Sequence, residues 1–239
     1  MKMKNNQVLF NYSPPHQLAA NLWEIRGEWK NKLGRRMTVI KLADDSIFIH
    51  NAIRLNAAEL DWLKNLGSVQ YVVAPNTFHC SDAGWMLDHF QNAQLFVPLK
   101  KISDFEKQGF KPKNINGEFP KNISSELSCF SMVGSKMEEA AFIHHPSKTL
   151  IFCDLAFNMA DVFTGFEKII MNLNKVGIRF GPSRITKLLF TKNTGELIQS
   201  YKNILTQDFD RVIVNHGDVL PSNGKNLLRK SVQEIFGDF

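Results

Sequence analysis

Cysteine is scarce in this sequence: three among 239 residues, at 80, 129 and 153, with no CxxC pair. An odd, low count offers no disulfide framework, and without CxxC a thiolate zinc knuckle or dithiol redox motif is excluded. Long apolar runs are also missing. None approaches the ~20 residues that a membrane-crossing helix needs. The opening MKMKNNQVLF has lysines but no apolar stretch of signal-peptide length and no small-residue cleavage site. A reducing, cytoplasmic setting and no membrane partner are therefore expected. There is no GxxxxGK[ST], no GxGxxG after a strand, no GxSxG and no HExxH. Nucleotide hydrolysis, dinucleotide oxidoreduction, serine hydrolysis and zincin chemistry lose their main support.

What is present is ample material for a core, 44% hydrophobic against 22% charged. No repeat, low-complexity tract or linker interrupts it, so one domain over residues 1–239 is expected. The formal net charge is +6. The densest basic stretches are KNKLGRR (30–36) and Lys100–Lys101. Their charge suits nucleic acid or anionic lipid, but neither stretch forms a long run with interleaved aromatics, so neither partner is expected. Strongly salt-dependent binding would argue otherwise.

Hydrophobic patterning outlines the elements. Leu22–Arg26, MTVIKL (37–42) and SIFIH (46–50) read as strands. A helix follows over 56–66, with Asn56 as N-cap, Glu59 at the third position of a capping box, and Gly67 after it. VQYVVA (69–74) is a strand buried on both faces, ending at Pro75. Residues 76–84 form a loop, 85–90 begin a helix, 93–97 are a strand and 105–125 an irregular excursion. Strands recur at 127–133, 140–144, 149–153 and 211–214. Helices recur at 163–176, 183–190, 194–205 and 227–236. In the helix at 163–176, Phe166, Ile169, Ile170 and Leu173 share one face. Two strand groups, each followed by helices, point to a layered α/β sandwich with sheets inside and helices outside.

Three strand ends carry polar clusters: NTFHCSD after VQYVVAP, CDLAFN after TLIF, and NHGD after RVIV. Strand ends are the usual place for a site in α/β architecture. In order and spacing these clusters resemble the metallo-β-lactamase superfamily over roughly Trp23 to Leu220. That resemblance implies a four-layer αββα fold. It also implies HxHxDH ligand positions, which fall here on Asn76, Phe78, Cys80 and Ser81, with Gly84 following. The acid expected on the preceding strand is replaced by His50. A further ligand histidine falls on Ser135 after Gly134, the bridging aspartate on Asp154 and the last histidine on His216 before Gly217. Two of seven ligand positions survive, Asp154 and His216.

Zinc hydrolysis needs His and carboxylate donors, and Phe78 offers none, so a normal dinuclear site is not expected. Two readings remain. In the first, a hydrolase uses one remodelled metal, zinc or iron, held among His79, His144, Asp154 and His216. Asn76, Cys80, Ser81, Asp82, Ser135, Asn158 and Asp218 line the site. In the second, no metal is bound and the fold is a non-catalytic binding or interaction scaffold, with His79 and His144 as hydrogen-bonded core groups. Asp154 is then a strand-end cap. His216 with Asp218 reads equally as a base with its orienter or as a plain turn. Cys80 beside His79 is a weak nucleophile–base pair, because adjacent residues on extended chain point to opposite sides. No catalytic residue is assigned, a small-molecule ligand is the partner left open, and the oligomeric state is not read.

Overall fold

A computed structural model describes residues 13–27, 33–159, 162–176 and 180–237. The chain divides into two compact units, Met1–Phe119 and Pro120–Phe239.

The first unit is built on a seven-stranded sheet in sequence order: β1 (His16–Ala19), β2 (Leu22–Gly27), β3 (Arg35–Lys41), β4 (Ser46–His50), β5 (Ser68–Val73), β6 (Gln94–Val97) and β7 (Lys113–Asn114). β1 to β4 pair antiparallel, and β4 to β7 run parallel. The change of direction comes where hairpins give way to helical crossovers, since parallel neighbours need a long connection. α1 (Ala57–Leu66) joins β4 to β5, and α2 (Ala83–His89) joins β5 to β6. A 3₁₀ turn (Leu99–Lys101), α3 (Ile102–Glu106) and α4 (Ile115–Glu118) complete the unit.

Strand alternation sorts the two sheet faces. Ile47, Ile49, Val69, Val72, Leu95 and Val97 join Leu63 of α1, Met86 of α2 and Phe105 of α3 in one core. Phe48 and Phe96, on the other face, each meet the Phe119 ring edge-on. Asn56 caps α1 as expected, accepting from the amides of Ala58 and Glu59.

The second unit holds a four-stranded sheet in the order β11-β10-β9-β8. β8 (Leu127–Ser131), β9 (Ala140–His144) and β10 (Thr149–Ile151) are antiparallel, and β11 (Arg211–Ile213) lies parallel to β10. Between β10 and β11 come α5 (Gly165–Leu173), a π-helical turn (Thr186–Phe190) and α6 (Thr194–Leu205); α7 (Gly224–Phe236) follows β11. Leu197, Tyr201 and Ile204 of α6 and Leu228 and Val232 of α7 pack with Ile143, Leu150 and Val212 of the sheet. α5 buries none of its residues.

Among the described residues no helix is long and apolar enough to cross a membrane.

Candidate functional site

In the first unit, polar residues gather where β5 ends. Its strand stops at Val73 because Pro75 has no amide to donate. The buried Asn76 side chain then turns the loop, accepting from the amides of Phe78 (2.9 Å) and His79 (3.1 Å). His79 is buried, Phe78 is exposed, and the Cys80 thiol donates to the Asn76 carbonyl at 3.2 Å. Burial pushes the Cys80 thiol up to about 12, so without a bound cation it is a thiol and not a nucleophile at neutral pH. Ser81 is exposed.

Asp82 precedes α2 and is buried between two guanidiniums, with Oδ2 on Arg35 and Oδ1 on Arg54. Arg36 is buried against Glu24. The described part of the basic stretch KNKLGRR thus turns its two arginines inward, while residues 30–32 lie outside the described residues. Sequence placed Asp82 in the site but carried no sign of its arginine partners, which come from β3 and from the segment after β4.

In the second unit, Asp154 and His216 stand just past the C-terminal ends of β10 and β11. Pairing of Ile151 with Ile213 in parallel register brings their carboxylate and ring together. Asp154 Oδ1 lies 3.2 Å from His216 Nε2, and both residues are buried. Three features fix this pair. Glu139, fully buried, accepts from the amides of Cys153 (2.9 Å), Asp154 (2.8 Å) and Leu155 (3.3 Å). Phe157 lies nearly parallel to the His216 ring, with centroids 6.2 Å apart. Gly217, at φ +95°, lets the chain turn against Asn158, where a Cβ would come within 1.9 Å of the Asn158 carbonyl oxygen. Asn158 in turn donates its side-chain amide to the Asp218 carbonyl. Asp218 is exposed. Asn215 Nδ2 lies 2.9 Å from His216 Nε2 and donates to its lone pair.

Glu139, Cys153 and Asp154 also place donor atoms close together. This set is structural, because the Glu139 carboxylate already serves three backbone amides and an oxygen so occupied is a poor metal donor. Glu139 was not legible as a functional residue; the only sign is an acid immediately before the apolar run AAFI.

The structure does not bring His144 to Asp154. β9 is antiparallel to β10, so His144 pairs with Thr149, where β10 begins. Asp154 lies five residues further along, roughly 16 Å at ~3.3 Å per residue. His144 Nδ1 instead meets the Ser147 hydroxyl at 2.7 Å, and burial, with His145 beside it, lowers its pKa to about 4. Ser135 is buried and its hydroxyl accepts from the Met137 amide, a turn rather than a ligand position.

No family model matches the sequence, and no curated protein matches it. Solved structures do match. A metallo-β-lactamase from Pontibacter korlensis has a TM-score of 0.62 at 8% identity, covering 94% of this chain and 99% of that one. One from Hirschia baltica has 0.59 at 12%, covering 94% and 98%. The FIM-1 enzyme from Pseudomonas aeruginosa, solved in its mono-zinc form, has 0.59 at 8%, covering 94% of each chain. The chain therefore has the metallo-β-lactamase fold, the α/β class its strand-end clusters resemble.

Proposed function

We propose that the protein is a hydrolase of this fold that works with one divalent ion, zinc or iron, bound by Asp154 and His216. The observation that carries this reading is the 3.2 Å separation of a buried carboxylate oxygen and a buried imidazole nitrogen on neighbouring strand ends. Two ligands that each bind zinc at ~2.0–2.2 Å lie about that far apart. The mono-zinc FIM-1 structure supports a one-ion state as compatible with the fold. Sequence adds His79, from its place in the loop that carries ligands in the resembling family. His144 is left out of the set.

Such an ion supplies a Lewis acid and a water of lowered pKa. The chain's own residues do the positioning. Glu139 holds the backbone under Asp154, Phe157 steadies the His216 ring, and the turn at Gly217 fixes where that ring points. Asn215 competes for the His216 lone pair and must release it when an ion binds.

That same Asn215 contact favours a second reading. It satisfies the ring with no ion present, as a non-catalytic binding scaffold would require.

Elemental mass spectrometry separates the two, on protein made without a His tag. The expected result is close to one equivalent of zinc, iron or manganese in the wild type. His216→Ala should lose it and Asn215→Ala should retain it; His79→Ala tests the third donor separately. Wild type that takes up none of these ions on incubation sinks the hydrolytic reading. Loaded protein justifies a screen of esters, lactones and phosphoesters. We also propose that residues 1–239 behave as one cooperative domain in the cytoplasm, a setting that suits a low, odd cysteine count with no CxxC.

A further inference from the structure

We propose that α5 and the π-helical turn together form a docking surface for an anionic lipid bilayer. α5 has the amphipathic spacing of a core helix but keeps its apolar face in water. Phe166, Ile169, Ile170 and Leu173, at i, i+3, i+4 and i+7, are 44 to 75% exposed, and Leu188 and Leu189 of the π-helical turn are 72 and 60% exposed. α6, of comparable pattern, buries Leu197, Tyr201, Ile204 and Leu205. The two exposed stretches belong together: the Arg184 amide donates to the Asn174 carbonyl, and the Arg184 guanidinium to that of Leu173. Side chains of this size grouped in water mark a surface that something covers.

Charge selects the occupant. The described residues of 162–192 include five cations (Lys168, Lys175, Arg184, Lys187 and Lys192) and one acid, Glu167, with the Lys187 ammonium donating to the Ile235 carbonyl of α7. That excess repels a second copy of the same surface and attracts an anionic one. A short helix with protruding Phe, Ile and Leu on one face and polar residues on the other, here Glu167, Lys168 and Asn172, lies in the plane of a lipid interface. Crossing a bilayer is a different demand from resting on one, and the expectation of no membrane partner rests on span length and on the basic stretches KNKLGRR and Lys100–Lys101, not on this helix.

The surface also adjoins the site. Phe157 and Gly181 exchange backbone hydrogen bonds at the base of the excursion, and Phe157 is the ring against His216. Docking itself does not depend on a metal. Where the hydrolase reading of the preceding section also holds, on which this clause rests, the substrate is an amphiphile drawn from that surface.

Sedimentation with vesicles tests the docking without reading metal or activity, so its failure is distinct from failure of the hydrolase reading. Wild type should pellet with phosphatidylcholine–phosphatidylserine vesicles at low salt, less at high salt, and stay in solution with phosphatidylcholine alone. The double substitution Ile169→Ser, Leu173→Ser should abolish pelleting with an unchanged melting temperature, since both side chains are exposed. Lys168→Ser should weaken it about fivefold, the worth of one cation near an anionic surface. No pelleting with the mixed vesicles, or equal pelleting with both kinds, overturns the proposal. Self-association in analytical ultracentrifugation that the same double substitution removes also overturns it, in favour of a second copy as the occupant.

Discussion

At the scale of the residue, Asp154 and His216 were legible because polar groups directly after buried apolar strands are conspicuous. Glu139 was not, because its work is done on backbone amides that no side-chain pattern reveals. Glu139→Gln keeps one acceptor oxygen, loses the charge and turns an N–H2 toward amide donors. It should lower stability by about 2–4 kcal/mol, read as a lower urea midpoint at unchanged slope. His144 was misplaced for a directional reason: a strand end can be read from sequence, but not which end of its neighbour it meets. Its actual burial has a pH signature. The folded ring protonates only near 4 while the unfolded ring does so near 6.5. The unfolded chain thus binds the extra proton between these values. The contribution of His144 is fully present above about pH 6.5 and lost as pH falls toward 4, at most about 3 kcal/mol. Urea melts across that range should be flatter for His144→Asn than for wild type. Equal slopes would mean that the ring is not held neutral.

At the scale of the element, strands and helices with strong periodicity fell where sequence put them: Ser46–His50, Ala140–His144 and Thr194–Leu205 match residue for residue. β1 and β7 were missed, being short edge strands with little apolar content. The stretch at 183–190 was read as an ordinary helix, but it closes as a π-helical turn over Thr186–Phe190. The helix at 163–176 shrinks to Gly165–Leu173 and keeps its stripe exposed; periodicity states that a face is apolar, not that it is covered. The Asn56 cap tests local sequence logic directly. Asn56→Ala removes the acceptor for two otherwise unsatisfied amides and should cost α1 about 1 kcal/mol, measured as a drop in melting temperature. Asn56→Ser should restore most of it.

At the scale of the whole molecule, the proposal of one domain has a convenient reporter. All four tryptophans, at 23, 29, 62 and 85, lie in the first 119 residues, whereas far-UV circular dichroism reports both units. One domain requires the two probes to give coincident unfolding transitions, and Glu139→Gln in the second unit to shift the tryptophan midpoint by the same amount. Separate midpoints would make the units independent. The parallel pairing of β10 with β11 has a further consequence, in time rather than space. Thr149 and Arg211 are register partners 62 residues apart, and Asp154 and His216 are brought together by the same closure. Closing so long a loop is slow compared with forming the β8–β9 and β9–β10 hairpins. During synthesis the aspartate emerges well before its histidine, so the pair comes into being only when β11 is laid down.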